Sequence, residues 1–201
     1  MHIAEGVLNW PVLAGGAAIT AVLTGVGLKR LDDDRLPLAG MMAALFFVAS
    51  LIHVPVGVGS VHLVLNGLCG IMLGWAAYPV ILVSLLLQAL LFGFGGLTSL
   101  GVNAVVMGLP ALLCGLLFAP PAGLQPRAAL MRGGLAGAVA IAGGVLLMTL
   151  ALYLSGGRAF MPLMTGVLVA HLPVAVIEAL VTGIVLSTLI RMRPALLAAQ
   201  A

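Results

Sequence analysis

Long apolar stretches follow one another through almost the whole chain, separated only by short polar connections, and this pattern limits the fold more than any single residue does. The runs cover roughly residues 10–28, 38–54, 62–77, 79–94, 104–118, 133–154 and 162–190. They are continuous rather than alternating, so they read as helices and not as the strands of a membrane barrel. A span needs about 20 mostly apolar residues, and 201 residues hold about seven such helices with no room for a separate soluble domain. The charged share is 6%, against roughly 25% in a soluble domain. The expected fold is therefore an all-α, multi-pass membrane bundle of about seven transmembrane helices, forming one domain over residues 1–201. The third run is short for a full crossing and the last is long, which predicts tilt, a kink or a non-spanning part.

The charges orient this bundle. The polar connections are residues 29–35, 55–60, 95–103, 119–132 and 155–161. With the N-terminus outside, Lys29, Arg30, Arg35, Arg127, Arg132, Arg191 and Arg193 fall inside and only Arg158 falls outside. That bias satisfies the positive-inside rule and predicts an extracytoplasmic N-terminus and a cytoplasmic C-terminus. A net charge of +3 distributed in this way speaks for topology and against a nucleic-acid surface. Asp32, Asp33 and Asp34 read as a solvated turn. No Lys or Arg precedes Lys29, as a secretory signal would require, so the N-terminus is expected to be retained. The same topology puts residues 1–6 and the Gly-rich connections 55–60 and 95–103 on one outer face. Irregular backbone at membrane depth is tolerated only where protein covers it or where it lines a cavity. These three segments are thus the candidate walls of a site.

The chain starts "MHIAEG". A histidine at position two offers its ring Nδ1, its own backbone nitrogen and the preceding amino group to one cation through adjacent small chelate rings. One more imidazole completes four nitrogens in a plane, which suits Ni(II) or tetragonal Cu(II), whereas Mg and Ca prefer oxygen. The chelate requires a free Met1 amine, and a bulky second residue disfavours removal of the initiator methionine. The competing reading is a solvated terminal histidine, with Glu5 serving a helix dipole. The candidate fourth donor is His62, which follows the Gly-rich connection on the same face. The metal set is therefore Met1, His2 and His62.

Around that set, His53 is either a ring bonded to a carbonyl freed near Pro55 or a support for a ligand. Asn66 lies four residues after His62 and either orients its ring or bonds a neighbouring helix. Thr98, Ser99 and Asn103 supply polar groups in "GGLTSLGVN", which lacks the GxxxxGK[ST] pattern of a phosphate loop. Gln88 reads most simply as an interhelical contact. His171 and Glu178 stand seven apart on one helix face, either as a proton relay or as a mutually satisfied structural pair. Cys69 and Cys114 lie inside apolar runs without CxxC spacing and read as packing residues. Small residues that would let helices approach closely include Gly70 with Gly74 and Gly133 with Gly137.

Three ordered motifs, "MHIAEG", "PVGVGSVHLVLNG" and "GGLTSLGVN", resemble the CbiM/NikM family of substrate-binding (S) components of energy-coupling factor transporters for cobalt and nickel. The resemblance covers about residues 1–118, and the remainder matches in hydropathy alone. It implies a seven-helix protein whose chain terminus enters the bundle, with the metal held by the Met1 amine, the backbone and ring nitrogens of His2, and His62. It also implies a transmembrane coupling protein, cytoplasmic ATPase subunits and a small accessory membrane protein as partners, in the cell inner (cytoplasmic) membrane. The transported Ni(II) or Co(II) is then the bound substrate, with no intrinsic cofactor and no enzymatic activity in this chain, which carries no Walker motif. Two positions depart from the family pattern. His62 is followed by Leu63 rather than by the proline of a Ser-His-Pro stretch, which favours nickel over cobalt, and Val106 stands where many relatives carry a second asparagine. The alternatives are a membrane enzyme, protease-like and metal-dependent, using His171 and Glu178, and an S component for an organic vitamin. HExxH is absent, and Trp10 and Trp75 sit near predicted membrane borders as interfacial anchors do, rather than at a stacking pocket.

Overall fold

A computed structural model describes residues 2–56 and 59–193, with the side chains of residues 53–61 excepted. Its helices are α1 (Trp10–Lys29), α2 (Leu36–Ala49), α3 (Asn66–Leu73), α4 (Ala77–Phe92), α5 (Leu100–Phe118), α6 (Pro126–Gly156) and α7 (Met161–Met192). Local chemistry sets several of their ends. Asn9 caps α1 by accepting the Val12 N–H at 3.2 Å, and Pro11 follows in its first turn, where a missing N–H costs nothing. Gly93, with φ at 67°, closes α4. Four stretches are long and apolar enough to cross a membrane: Trp10–Lys29, Asn66–Phe92, Leu100–Phe118 and Pro126–Met192. The second joins α3 and α4 through a 3-10 turn at Gly74–Ala76, and the fourth joins α6 and α7 through another at Gly157–Phe160.

Helix α3 has only 8 residues, all of them buried. That is the short third run, and its burial on every side explains why it needs no polar face. The run at 38–54 ends early, because the chain leaves α2 at Ala49 and forms an antiparallel hairpin, β1 (His53–Val56) with β2 (Gly59–His62). This departs from the purely helical expectation. The β-branched valines 54, 56 and 61 favour extended backbone, and the pairing sets the backbone of His53 opposite that of His62.

Helices α3, α5 and α6 form the centre, with Phe46, Leu68, Ile71, Met107, Ile141 and Leu186 at most 1% exposed. Outward-facing residues are apolar as well: Trp10 is 77% exposed and Leu146 68%, the surface a lipid phase would cover. Gly137 lies where a Cβ would come within 2.5 Å of the Glu178 carbonyl, and Gly70 where one would come within 1.8 Å of the Ala111 carbonyl. Both are therefore contact points between helix backbones. Gly74 ends α3 with φ at 55°, and its Cα would lie 3.3 Å from a Cβ placed at Gly115 on α5. Cys69 and Cys114 are buried free thiols, and Cys114 donates to the Ala136 carbonyl at 3.3 Å.

Candidate metal site

Residues 2–5 lie along the 95–103 connection, and the contacts are mostly side chain to main chain. The Asn103 carboxamide holds Ile3 at both backbone groups, accepting its N–H at 2.8 Å and donating to its carbonyl at 3.0 Å. Ser99 donates to the same carbonyl at 2.8 Å and accepts from Asn103 Nδ2 at 3.2 Å. Ile3 itself is 2% exposed, so an apolar plug and a polar clamp fix the same residue. Farther along, Glu5 donates its N–H to the Gly95 carbonyl at 3.1 Å, and its carboxylate accepts the Thr98 N–H at 3.1 Å. Gly96, at φ 142°, leaves room for that carboxylate: a Cβ there would lie 1.9 Å from Glu5 Cγ.

This clamp leaves the His2 ring between His62 at the end of β2 and Gln88 on α4. His2 Nδ1 lies 3.0 Å from His62 Nε2, with ring centroids 4.9 Å apart and planes tilted by 35°. The other nitrogen of each ring has its own contact. His62 Nδ1 lies 3.0 Å from the Leu63 carbonyl, and His2 Nε2 lies 2.8 Å from Gln88 Oε1. His62 is buried. Two imidazoles 60 positions apart in sequence thus present one nitrogen each to the same point. Among the described residues no group of three or more His, Cys, Asp and Glu side chains could hold a metal ion. Met1 lies outside the described residues, and the His53 side chain is likewise outside them.

The turn that carries His62 is anchored from the far side of the bundle. Glu178 on α7 is fully buried, and its carboxylate accepts the N–H groups of Val64 and Leu65, the latter at 2.9 and 3.1 Å. Leu65 has φ at 57°, the one non-glycine residue with positive φ among the described residues. A buried carboxylate on two successive N–H groups holds a backbone conformation that leucine seldom adopts unaided. His171 donates from Nδ1 to the Val167 carbonyl one turn earlier on its own helix, at 2.7 Å. His171 and Glu178 therefore share a face but take separate main-chain partners. Asn66 donates to the Met107 carbonyl on α5 at 3.0 Å and accepts the Gly67 N–H at 3.1 Å, which is the interhelical of its two readings. Thr98 contributes its backbone, whereas Ser99 and Asn103 contribute side chains. The sequence reading assigned Gln88 no part in the site. Its signal was an amide inside an otherwise apolar run, a group that costs free energy unless bonded.

The family whose description is the cobalt uptake substrate-specific transmembrane region, CbiM, matches residues 2–196. A protein of Haemophilus influenzae named for metal transport is 44% identical, over 96% of this chain and 95% of its own length. The cobalt transport protein CbiM of Sorangium cellulosum is 32% identical, over 98% of this chain and 94% of its own. The fused nickel transport protein NikMN of Rhodobacter capsulatus is 38% identical over 53% of this chain and 33% of its own. A solved structure of a transition metal transporter superimposes with a TM-score of 0.76 at 25% identity, covering 95% of this chain and 93% of the other.

Proposed function

The chain belongs to the CbiM family of cobalt and nickel transport membrane components, multi-pass and not enzymes, and on that premise we propose how it takes up its ion. It captures Ni(II) or Co(II) on the extracytoplasmic side through the Met1 amine, the backbone nitrogen and Nδ1 of His2, and Nε2 of His62. The observation that carries this reading is the 3.0 Å approach of His2 Nδ1 to His62 Nε2. Two ligands at right angles with bonds of about 2.1 Å stand about 3.0 Å apart.

The whole chain acts as one substrate-binding domain of about seven transmembrane helices in the cytoplasmic membrane, with N-terminus out and C-terminus in. The basic residues support that orientation. It is the S component of an energy-coupling factor assembly and works with a transmembrane coupling protein, cytoplasmic ATPases and a small accessory membrane protein. Relatives named as fusions, a nickel transport NikMN and a cobalt transport CbiMQ, support a role beside further transport components. Ser99 and Asn103 hold Ile3, and through it the chelating end, while Thr98 receives Glu5. His53 supports the hairpin that carries His62, and Asn66 fixes the start of α3. The vitamin and enzyme alternatives gain no observation of their own.

Titration of Ni(II) and Co(II) into protein with a free N-terminus tests the proposal. His2→Ala and His62→Ala should each weaken binding by two orders of magnitude or more. Affinity unchanged in both would end the chelate model.

A further inference from the structure

We propose that a cavity of about 330 Å³, at the end of the bundle opposite the His2 site, seats the phosphate of an anionic phospholipid. Arg30, Arg35 and Trp75 line it together with Gly74 and, from α5, Gly115 and Leu116. None of these residues belongs to the metal site.

The cavity lies where three helices end. Arg30 follows the last residue of α1, Gly74 follows the last residue of α3, and Leu116 stands in the final turn of α5. Helix C-termini carry partial negative charge, which accounts for the presence of arginines here. It does not account for how little of their bonding capacity they spend. Arg35 donates from Nη2 to the Met72 carbonyl at 2.9 Å, and its Nε is buried with no partner among the described residues. Arg30 is exposed, with its guanidinium carbon 4.8 Å from the centre of the Trp75 ring. Asp32, Asp33 and Asp34 lie between the two arginines in the chain, yet among the described residues neither guanidinium pairs with a carboxylate. Two positive charges therefore line one cavity without a counter-charge. The ligand that answers them is an anion with several acceptor oxygens, to which the planar fork of arginine is matched.

What adjoins the arginines selects a lipid over a free ion. Leu116 lines the same cavity and is 65% exposed, on the apolar flank that a lipid phase would cover. Trp75 is half-buried at the border between that flank and the basic end, the level at which tryptophan meets headgroups. Beyond its chain neighbours, nothing lies within 4 Å of the place a Cβ would take on Gly74, so the wall there is bare backbone. A phosphodiester enters between the charged groups while its acyl chains stay against Leu116, and basic groups beside an apolar flank attract such headgroups.

The probe is phosphatidylglycerol, titrated into the full-length protein in a non-ionic detergent beside phosphatidylcholine with the same chains and beside inorganic phosphate. Phosphatidylglycerol should bind at one site, about 10-fold or more tightly than phosphatidylcholine. Inorganic phosphate should bind about 10-fold or more weakly than phosphatidylglycerol, because it covers no apolar surface. Arg30→Gln and Arg35→Gln should each lower the phosphatidylglycerol affinity about 10-fold. Arg127→Gln removes a basic residue outside the cavity and should change that affinity by about twofold or less. Equal affinity for the two lipids overturns the proposal, as does the absence of binding by either. A loss in Arg127→Gln as large as that in Arg30→Gln also overturns it, because the attraction would then belong to the basic end as a whole. Inorganic phosphate binding as tightly as phosphatidylglycerol overturns the lipid assignment and makes a soluble phosphate the ligand. Should Arg35→Gln fail to fold, the exposed Arg30 decides alone, and unchanged affinity in Arg30→Gln overturns the proposal.

Discussion

Two pairs of ionisable residues lie inside this apolar bundle, and they are held in opposite ways. His171 and Glu178 are seven residues apart on one helix, yet each is bound by main chain, His171 to the Val167 carbonyl and Glu178 to the Val64 and Leu65 N–H groups. His2 and His62 are 60 residues apart, and each has one ring nitrogen occupied by an acceptor while the other nitrogens converge at 3.0 Å. Proximity along a helix therefore identifies a shared face and not a shared function. A pair whose hydrogen-bonding capacity goes to main chain is a clamp, and a pair that aims one ring nitrogen each at the same point can take up an ion. The two are linked, since the Glu178 clamp secures the turn that carries His62.

The comparison can be broken at either pair. The largest effect belongs to the converging one: His62→Ala should weaken Ni(II) binding about 100-fold or more in calorimetry, a larger effect on binding than on the thermal midpoint. Next is Asn103→Ala. It frees the Ile3 N–H, leaves the Ile3 carbonyl to Ser99 alone, and should weaken binding about 10- to 100-fold, as loss of a ligand-orienting partner does. Glu178→Ala should reverse the pattern. Two buried N–H groups lose their acceptor, at about 1–3 kcal/mol each, so the thermal midpoint should drop sharply, while the folded fraction binds Ni(II) within about tenfold of the parent. The smallest effect is expected for His171→Leu, a threefold or lesser change in affinity, measured by the same titration. Loss of uptake in His171→Leu with binding intact would instead restore a relay role to the α7 pair and erase the distinction.

Much of the helical layout was legible because lipid imposes a simple pattern, long apolar runs broken by charge. The short buried α3 was readable from the length of its run. The hairpin at residues 53–62 was not, since the sequence reads 55–60 as an irregular Gly-rich connection between two apolar runs, and its extended pairing follows from tertiary placement. At the site, the pairing of His2 with His62 was accessible from position two and from the charge bias, whereas Gln88 was not. A lone amide in an apolar run gives no sign of which helix it faces, and only the fold turns it toward the terminal histidine. Glu178 stood out as an expensive buried group, but its true partners are backbone N–H groups, which carry no sequence signature.

The central claim is that the terminal position of the histidine is the capture mechanism. The most direct measurement is the optical spectrum and magnetism of Ni(II) added to two forms of the full-length protein, one with a free Met1 amine and one with a single residue placed before Met1. The account predicts a yellow, diamagnetic, planar complex at stoichiometric metal in the first form and no such complex in the second. The same planar spectrum and affinity in both forms, or a paramagnetic six-coordinate ion in the first, would contradict it.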